Sequence, residues 1–221
     1  MNIAIRTAPR KISYLQSTIH SIKQVFPATD LHLFAEPGSS TVQGAVVHQN
    51  EKRLGVYANF LRALSYLVEN TPGPWFVICE DDISLLPLFG VSIDKVLSEP
   101  VPSDFGFYNP YCAKPRGKED FFGWYNPADI SLYGALCLIF HETTVRDLLA
   151  IYKTERAPDK GADSCIGILT DRAGLRIYQH SPTLVDHIGF ESTIVDISTL
   201  PQRLLQNRKP FYGRNFDNST G

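Results

Sequence analysis

The segment at residues 75–79, WFVIC, is apolar at every position. A strand with one face in water alternates apolar and polar residues, so an uninterrupted apolar strand is typical of a parallel sheet covered on both faces. The T-P-G-P breaker at residues 71–74 separates this segment from the preceding helix-like run. The segment therefore predicts a central strand with helices packed on either side of it.

Strand-like and helix-like runs alternate along the first half of the chain. The strand-like runs are residues 3–7, 31–36, 45–49 and 75–79, and the helix-like runs are residues 14–26 and 56–70. In the longer helix Phe60, Leu64, Leu67 and Val68 share one face. The repeated order of strand, helix and strand predicts a single α/β domain of the Rossmann-like type, in which helices flank a mostly parallel central sheet.

The second half of the chain has a less regular pattern. It predicts strands at residues 105–109, 132–140, 176–180 and 183–189, and helices at residues 143–152 and 163–173. Gly134 falls inside the second of these strands, and a threonine cap opens the first of these helices. Residues 110–130 form a long polar and aromatic loop between two of the strands.

The composition is that of a soluble globular protein, with 43% hydrophobic and 20% charged residues over 221 positions. This length predicts one domain at residues 1–199, with a C-terminal tail at residues 200–221 that leads to further domains if the chain belongs to a longer protein. The formal net charge of −2 excludes a general attraction to nucleic acid. No apolar run approaches the ~20 residues of a membrane span.

The cysteines and the N-terminus bear on the cellular compartment. Cys79 and Cys137 lie within apolar runs, which predicts reduced core residues. Residues 1–11 lack the long apolar core of a signal peptide and resemble a first strand. These features predict a cytoplasmic protein, either bacterial or viral in a host cell.

Three carboxylates, Glu80, Asp81 and Asp82, directly follow the apolar strand at residues 75–79. Adjacent like charges repel one another, and partial burial makes each ion costlier, so a positive partner is expected. In parallel α/β sheets, ligands bind beyond the carboxyl ends of the strands. The triplet fits a hard divalent cation such as Mg²⁺ or Mn²⁺. The alternative is an acidic turn at a strand end.

Two later segments contain further candidates for the same site. His187 follows a strand-like run and is either a second metal ligand beside Asp82 or a structural hydrogen-bonding group. An imidazole ligand favours Mn²⁺ over Mg²⁺. Asp163 opens a helix, where it is either a simple cap or a general base facing a cleft.

Six short motifs occur in an order that resembles a known family. They are T-A-P-R at 7–10, R-L-G-V-Y-A-N at 53–59, E-D-D at 80–82, Y-G-A-L-C-L-I-F at 133–140, D-S-C-I-G at 163–167 and D-H-I-G at 186–189. The E-D-D triplet resembles the acidic D-x-D-type motif of nucleotide-sugar-dependent glycosyltransferases of the GT-A fold. The resemblance spans roughly residues 1–190, although the triplet is not a strict D-x-D and the chain is short for a complete member.

The resemblance implies a set of roles on the donor side. Asp82 would coordinate Mn²⁺ or Mg²⁺ directly, with His187 as the C-terminal metal ligand. Glu80 and Asp81 would hold the ribose or the donor sugar, or bind the metal through water. The residues expected around the nucleotide base and ribose are Thr7, Ala8 and Arg10, together with Arg53 and Asn59.

The resemblance also implies roles at the reacting sugar. Tyr133 and Gly134 would admit the donor sugar, because a glycine permits close backbone approach. The alternative for Gly134 is a glycine that the backbone conformation alone requires. Asp163 would take the proton from the acceptor hydroxyl, which predicts inversion at the anomeric carbon. The expected partners are a nucleotide-sugar donor, most simply a UDP-sugar, and a saccharide or glycan acceptor. Phe121, Phe122, Trp124 and Tyr125 form either an acceptor platform or an ordinary aromatic loop.

Two other functions compete with a glycosyltransferase. A sugar-phosphate nucleotidyltransferase also uses carboxylate-bound Mg²⁺, but it usually carries a glycine-rich basic loop near the N-terminus, which T-A-P-R-K matches poorly. A non-catalytic carbohydrate-binding domain with Ca²⁺ in the acidic cluster would bind saccharides without any dependence on nucleotide. Metal-dependent binding of a nucleoside diphosphate would favour the transferase over both of these alternatives.

Overall fold

A computed structural model describes residues 1–112, 123–127, 132, 134–155 and 161–189. The strands are β1 (Asn2–Thr7), β2 (Leu31–Ala35), β3 (Val46–Gln49), β4 (Trp75–Glu80), β5 (Ile83–Leu85), β6 (Phe105–Asn109), β7 (Gly123–Tyr125), β8 (Cys137–His141), β9 (Arg176–Ser181) and β10 (Val185–His187). The helices are α1 (Leu15–Val25), α2 (Val56–Asn70), α3 (Phe89–Ser98), α4 (Glu142–Thr154) and α5 (Ala162–Arg172).

The main sheet has the strand order β3-β2-β1-β4-β8-β6-β9-β7. Strands β3, β2, β1 and β4 are parallel to one another. Strand β8 is antiparallel to both of its neighbours, β6 and β9 are parallel, and β7 is antiparallel to β9. The predicted α/β domain is therefore confirmed, with a sheet that is wholly parallel in its first half and mixed in its second half.

Helices cover both faces of the sheet, as the apolar strand β4 requires. Alternate residues of β4 enter two separate cores: Val77 and Cys79 pack with α1 and α3, whereas Phe76 and Ile78 pack with α2, α4 and α5. Burial of both sets fixes the register of β4, because a slip of one residue would exchange the two faces. The carboxyl ends of β1 and β4 are thereby held side by side.

Several local predictions need correction. Strand β8 begins at Cys137 rather than at residue 132, and Gly134 lies in the preceding connection with a φ of +75°. Helix α4 is capped by the ring of His141, whose side chain accepts from the Thr143 N–H, and not by a threonine. Helix α3 and strand β5 have no counterpart in the predicted elements, and β5 is only three residues long. Strand β10 lies within the strand predicted at residues 183–189.

Cys79 and Cys137 are core residues, as predicted. They lie opposite each other on β4 and β8, with their sulfur atoms 3.6 Å apart, and they do not form a disulfide. Within the described ranges, the helices are all too short or too polar to cross a bilayer. The predicted tail at residues 200–221 lies outside the described residues.

Candidate active site

The acidic triplet lies beside the end of β1, across the central pair of parallel strands. In the register of this pair Arg6 is opposite Glu80. The ends of β1 and β4 and the residues that follow them line one pocket, together with the start of α2. The residues lining it are Arg6, Thr7, Ala8, Arg10, Glu36, Arg53, Gly55, Val56, Asn59, Glu80 and Asp81.

Positive groups from other segments pair with each of the three carboxylates. The Arg6 guanidinium lies 3.1 Å from Glu80. The Arg10 guanidinium spans two carboxylates, with one nitrogen 2.7 Å from Asp81 and the other 2.6 Å from Asp82. Thr7 also donates a hydrogen bond to Asp81. The positive partner that the sequence requires is therefore supplied in part by the protein itself.

Burial makes these pairings necessary. The side chains of Asp81 and Asp82 are each only 3% exposed, and that of Arg10 is 9% exposed. A buried carboxylate without a partner is strongly destabilising, so the ion pairs are what allow Asp81 and Asp82 to remain charged inside the protein.

The environment shifts the pKa values of the triplet in different directions. Burial raises the pKa of Glu80 to about 7, although Arg6 opposes the shift. Burial also raises the pKa of Asp81, against the opposing effect of Arg10. Burial acts to raise the pKa of Asp82 as well. The hydrogen bond from His187 and the charges of His187 and Arg10 outweigh burial, so the pKa of Asp82 is lowered. Asp82 is therefore the member of the triplet that is best stabilised as an anion.

Helix α1 fixes the backbone that carries the triplet. The Thr18 hydroxyl lies 2.9 Å from the Asp81 carbonyl oxygen and 2.8 Å from that of Ile83, and it accepts from the Ile83 N–H at 3.1 Å. One turn later, Ser21 accepts from the Leu85 N–H at 3.2 Å. These buried hydroxyls hold the turn after β4 in place, so the direction of the Asp81 and Asp82 side chains is set by packing against α1.

The β5–β10 pair brings His187 to Asp82 from a distant part of the chain. In this antiparallel pair His187 is opposite Ile83, and the Ile188 N–H donates to the Asp82 carbonyl at 2.9 Å. The His187 Nε2 atom lies 3.0 Å from Asp82 Oδ2. This hydrogen bond is the first cause of a raised His187 pKa. His187 and Asp82, the two predicted metal ligands, are thus in direct contact.

Asp82 and His187 fit a divalent cation. Asp82 Oδ1 is buried and has no hydrogen-bond partner among the described residues, as expected for an atom that lacks a ligand. Neighbouring ligands of an octahedral cation, each at about 2.1 Å, lie about 3 Å apart, which matches the Oδ2–Nε2 separation. Across the described ranges, however, no cluster of three His, Cys, Asp or Glu side chains could hold a metal. A cation here would take its other ligands from water and substrate.

Gly189 packs directly against Asp82. A Cβ atom on residue 189 would lie 2.2 Å from Asp82 Oδ2 and 2.8 Å from its Cγ. Only glycine leaves the space that the carboxylate occupies. The glycine of the D-H-I-G motif is recognisable in the sequence, but its contact with Asp82 is visible only in the structure.

Asp163 and Gly134 are brought together by a hydrogen bond. Asp163 lies in the first turn of α5, one residue after Ala162, so it is not the helix cap that the sequence suggested. Its carboxylate accepts from the Gly134 N–H at 3.1 Å. A side chain at residue 134 would clash with the Tyr111 ring at 2.7 Å, in addition to the strain of its positive φ. Tyr133 lies outside the described residues.

The residues predicted around the nucleotide have mixed positions. Thr7, Ala8 and Arg53 line the pocket, and Arg53 is exposed. Asn59 also borders it, but its buried amide donates to the Phe34 carbonyl at 3.2 Å and accepts from Asn50 at 3.3 Å. Asn59 therefore has an evident structural role in joining α2 to β2.

Sequence reasoning missed Arg6 and Glu36 in this pocket. Arg6 donates to Glu80 and to the carbonyls of Val56 and Ala135, and it thereby ties β1 to α2 and to the segment before β8. Glu36 is 2% exposed and accepts from the N–H groups at the start of α2. The signal that both share is a charged residue in or directly after an otherwise apolar strand.

The predicted aromatic platform is not supported at Trp124. Its ring packs against Tyr108 and His180, with centroids 4.7 Å and 5.0 Å away. The Tyr125 hydroxyl lies 3.4 Å from Gln179. Both residues thus anchor β7 to the sheet, whereas Phe121 and Phe122 lie outside the described residues.

The strand order, the site at the end of β4 and the antiparallel strand β8 define a GT-A-like α/β fold. No protein-family model matches the sequence, and no characterised protein matches it in sequence. Among solved structures, the chain is similar to a mutant of Drosophila β-1,4-galactosyltransferase 7, crystallised with manganese, UDP-Gal and xylobiose. The TM-score is 0.50 at 11% identity, over 100% of this chain and 83% of the other. The likeness at this identity establishes the fold.

Proposed function

We propose that this protein is a metal-dependent glycosyltransferase, which moves a sugar from a nucleoside diphosphate donor to a hydroxyl group of a saccharide acceptor. The observation that carries the proposal is the buried Asp82, at the end of β4 in a GT-A-like sheet. Its Oδ1 atom has no partner in the part of the chain that the structure describes, and its Oδ2 atom contacts His187. A UDP-sugar is the preferred donor.

The chain's own residues bind the donor in this proposal. Asp82 and His187 hold Mn²⁺ or Mg²⁺, and the chemistry which that cation supplies is neutralisation of the departing diphosphate. Thr7, Ala8 and Arg53 line the pocket beside the triplet and contact the nucleoside. Arg6 keeps Glu80 in place beside the sugar.

Asp163 is the proposed general base. Its carboxylate takes the proton from the acceptor hydroxyl while the hydroxyl oxygen attacks the anomeric carbon and the bond to the diphosphate breaks. The Gly134 N–H holds one carboxylate oxygen at 3.1 Å and leaves the other available for the acceptor. A single displacement of this kind inverts the anomeric configuration.

Calorimetric titration with UDP, with and without Mn²⁺, tests the donor site. We expect UDP binding that requires the cation and that is lost in Asp82→Asn. The matched control is Asp94→Asn, which removes an exposed carboxylate on α3 and should bind like the wild type. Binding that needs no cation, or that survives in Asp82→Asn, would contradict the proposal. A parallel titration with Mg²⁺ identifies the preferred metal.

The base is tested separately, by transfer to a saccharide acceptor and by the anomeric configuration of the product. Asp163→Asn should retain cation-dependent UDP binding while transfer falls at least about 100-fold, the lower range for a general base. A product with retained configuration would remove this role from Asp163 without affecting the donor site.

A further inference from the structure

Arg10 forms ion pairs within the acidic triplet and therefore affects the binding of a cation there. It lies in the connection between β1 and α1, and its two terminal nitrogens each donate to a different carboxylate, Asp81 and Asp82. Both acids are almost fully buried. The guanidinium therefore acts as a fixed counterion within the site.

The same oxygen of Asp82 is used twice. Oδ2 accepts from Arg10 at 2.6 Å and from His187 at 3.0 Å, while Oδ1 has no partner within the described ranges. A divalent cation held between Asp82 and His187 would lie next to the Arg10 guanidinium, and like charges at such short range in a buried site repel strongly. A cation bound through Oδ2 would therefore compete with Arg10 for that oxygen.

We propose that Arg10 is a built-in competitor of the metal, which keeps the affinity of Asp82 for a divalent cation low until the donor arrives. The inference rests on the proposed function. Arg10 also lines the pocket next to Thr7 and Ala8, so a donor diphosphate in that pocket can accept the displaced guanidinium. A guanidinium that moves away from Asp82 gives up a buried ion pair, and a donor diphosphate offsets that loss.

Competition of this kind makes the cation and the nucleotide bind cooperatively. Each ligand removes part of the cost of moving Arg10, so each must strengthen the binding of the other by the same factor. A positioning role alone for Arg10, in which it merely anchors its loop, would not oppose metal binding. The sign of the effect of Arg10 on the affinity for the metal alone separates the two roles.

The test is the affinity for Mn²⁺ alone, measured from the electron paramagnetic resonance signal of free Mn²⁺, in wild type and in Arg10→Met. We expect Arg10→Met to bind Mn²⁺ at least about tenfold more tightly, and the factor by which UDP strengthens Mn²⁺ binding to shrink by a similar amount. The matched control is Lys52→Met, which removes an exposed positive charge from the connection between β3 and α2, outside the pocket lining, and should change Mn²⁺ affinity less than about twofold.

Loss of the ion pairs can prevent Arg10→Met from folding, so Arg10→Lys is a second variant. Lysine keeps the charge but presents a single ammonium that cannot span both carboxylates, so its Mn²⁺ affinity should lie between those of wild type and Arg10→Met. Equal or weaker Mn²⁺ binding by the Arg10 variants overturns the inference. The proposed function is judged independently, because cation-dependent UDP binding by the wild type requires no variant of Arg10.

Discussion

The replacement Thr18→Val tests how the protein holds its acidic triplet. Valine has nearly the shape of threonine but lacks the hydroxyl, and Thr18 is fully buried in α1. The hydroxyl accepts from the Ile83 N–H and shares its single proton between the carbonyls of Asp81 and Ile83. The variant therefore removes one accepted and one donated hydrogen bond at the turn that carries Asp82.

The structure gives an expected size for this effect. A buried polar group that loses its partner costs about 1–3 kcal/mol, so the unpaired Ile83 N–H and one carbonyl should together cost about 2–6 kcal/mol. Thr18→Ser is the matched control, because it keeps the hydroxyl and loses one buried methyl group, at about 1 kcal/mol. We therefore expect Thr18→Val to be less stable than Thr18→Ser by about 1–5 kcal/mol.

Urea unfolding followed by circular dichroism measures both variants against wild type, provided that the slopes of the transitions agree. Calorimetry with UDP and Mn²⁺ should show weaker binding by the valine variant, because the turn that positions Asp82 is loosened. If Thr18→Val is as stable as Thr18→Ser, or more stable, then packing rather than the hydroxyl fixes the turn, and the reasoning is refuted.

Two further predictions concern other contacts. Gly189→Ala places a methyl group 2.2 Å from Asp82 Oδ2, so it should lower the free energy of unfolding by about 1–3 kcal/mol and weaken cation-dependent UDP binding. The control Gly90→Ala, whose added methyl group has its nearest neighbour at 3.3 Å, should cost less than about 1 kcal/mol. Equal costs for the two variants would contradict the close contact between Gly189 and Asp82. Burial lowers the pKa values of His32 and His48, which lie 3.1 Å apart near Asp30 and Arg62. The unfolded chain then binds more protons at these two sites, so their contribution to stability falls as the pH drops below about 6.5, and His48→Gln should remove part of that contribution; the same pH dependence in wild type and in His48→Gln, from urea unfolding at pH 7.5 to 5.5, would refute this.

Local patterns predicted most of the elements that build the sheet. Helix α2 has the predicted bounds, because its apolar face repeats with helical period and a Pro-Gly breaker follows it. The failures are also local in origin. Strand β5 is too short for a periodic pattern. The apolar segment around Gly134 was predicted as part of β8, but Gly134 has a positive φ and packs closely against Tyr111 instead of pairing in the sheet.

The α/β class, the central position of β4 and the three carboxylates at the end of that strand all follow from the sequence alone. Those properties depend on the order of residues over short windows, in which apolar period and breakers act directly. The identity of the cations that meet the carboxylates depends instead on the folded chain. Arg10 and Asp82 are 72 residues apart, and His187 and Asp82 are 105 apart. Ion pairs of this kind follow from strand register and from burial, which no local pattern encodes.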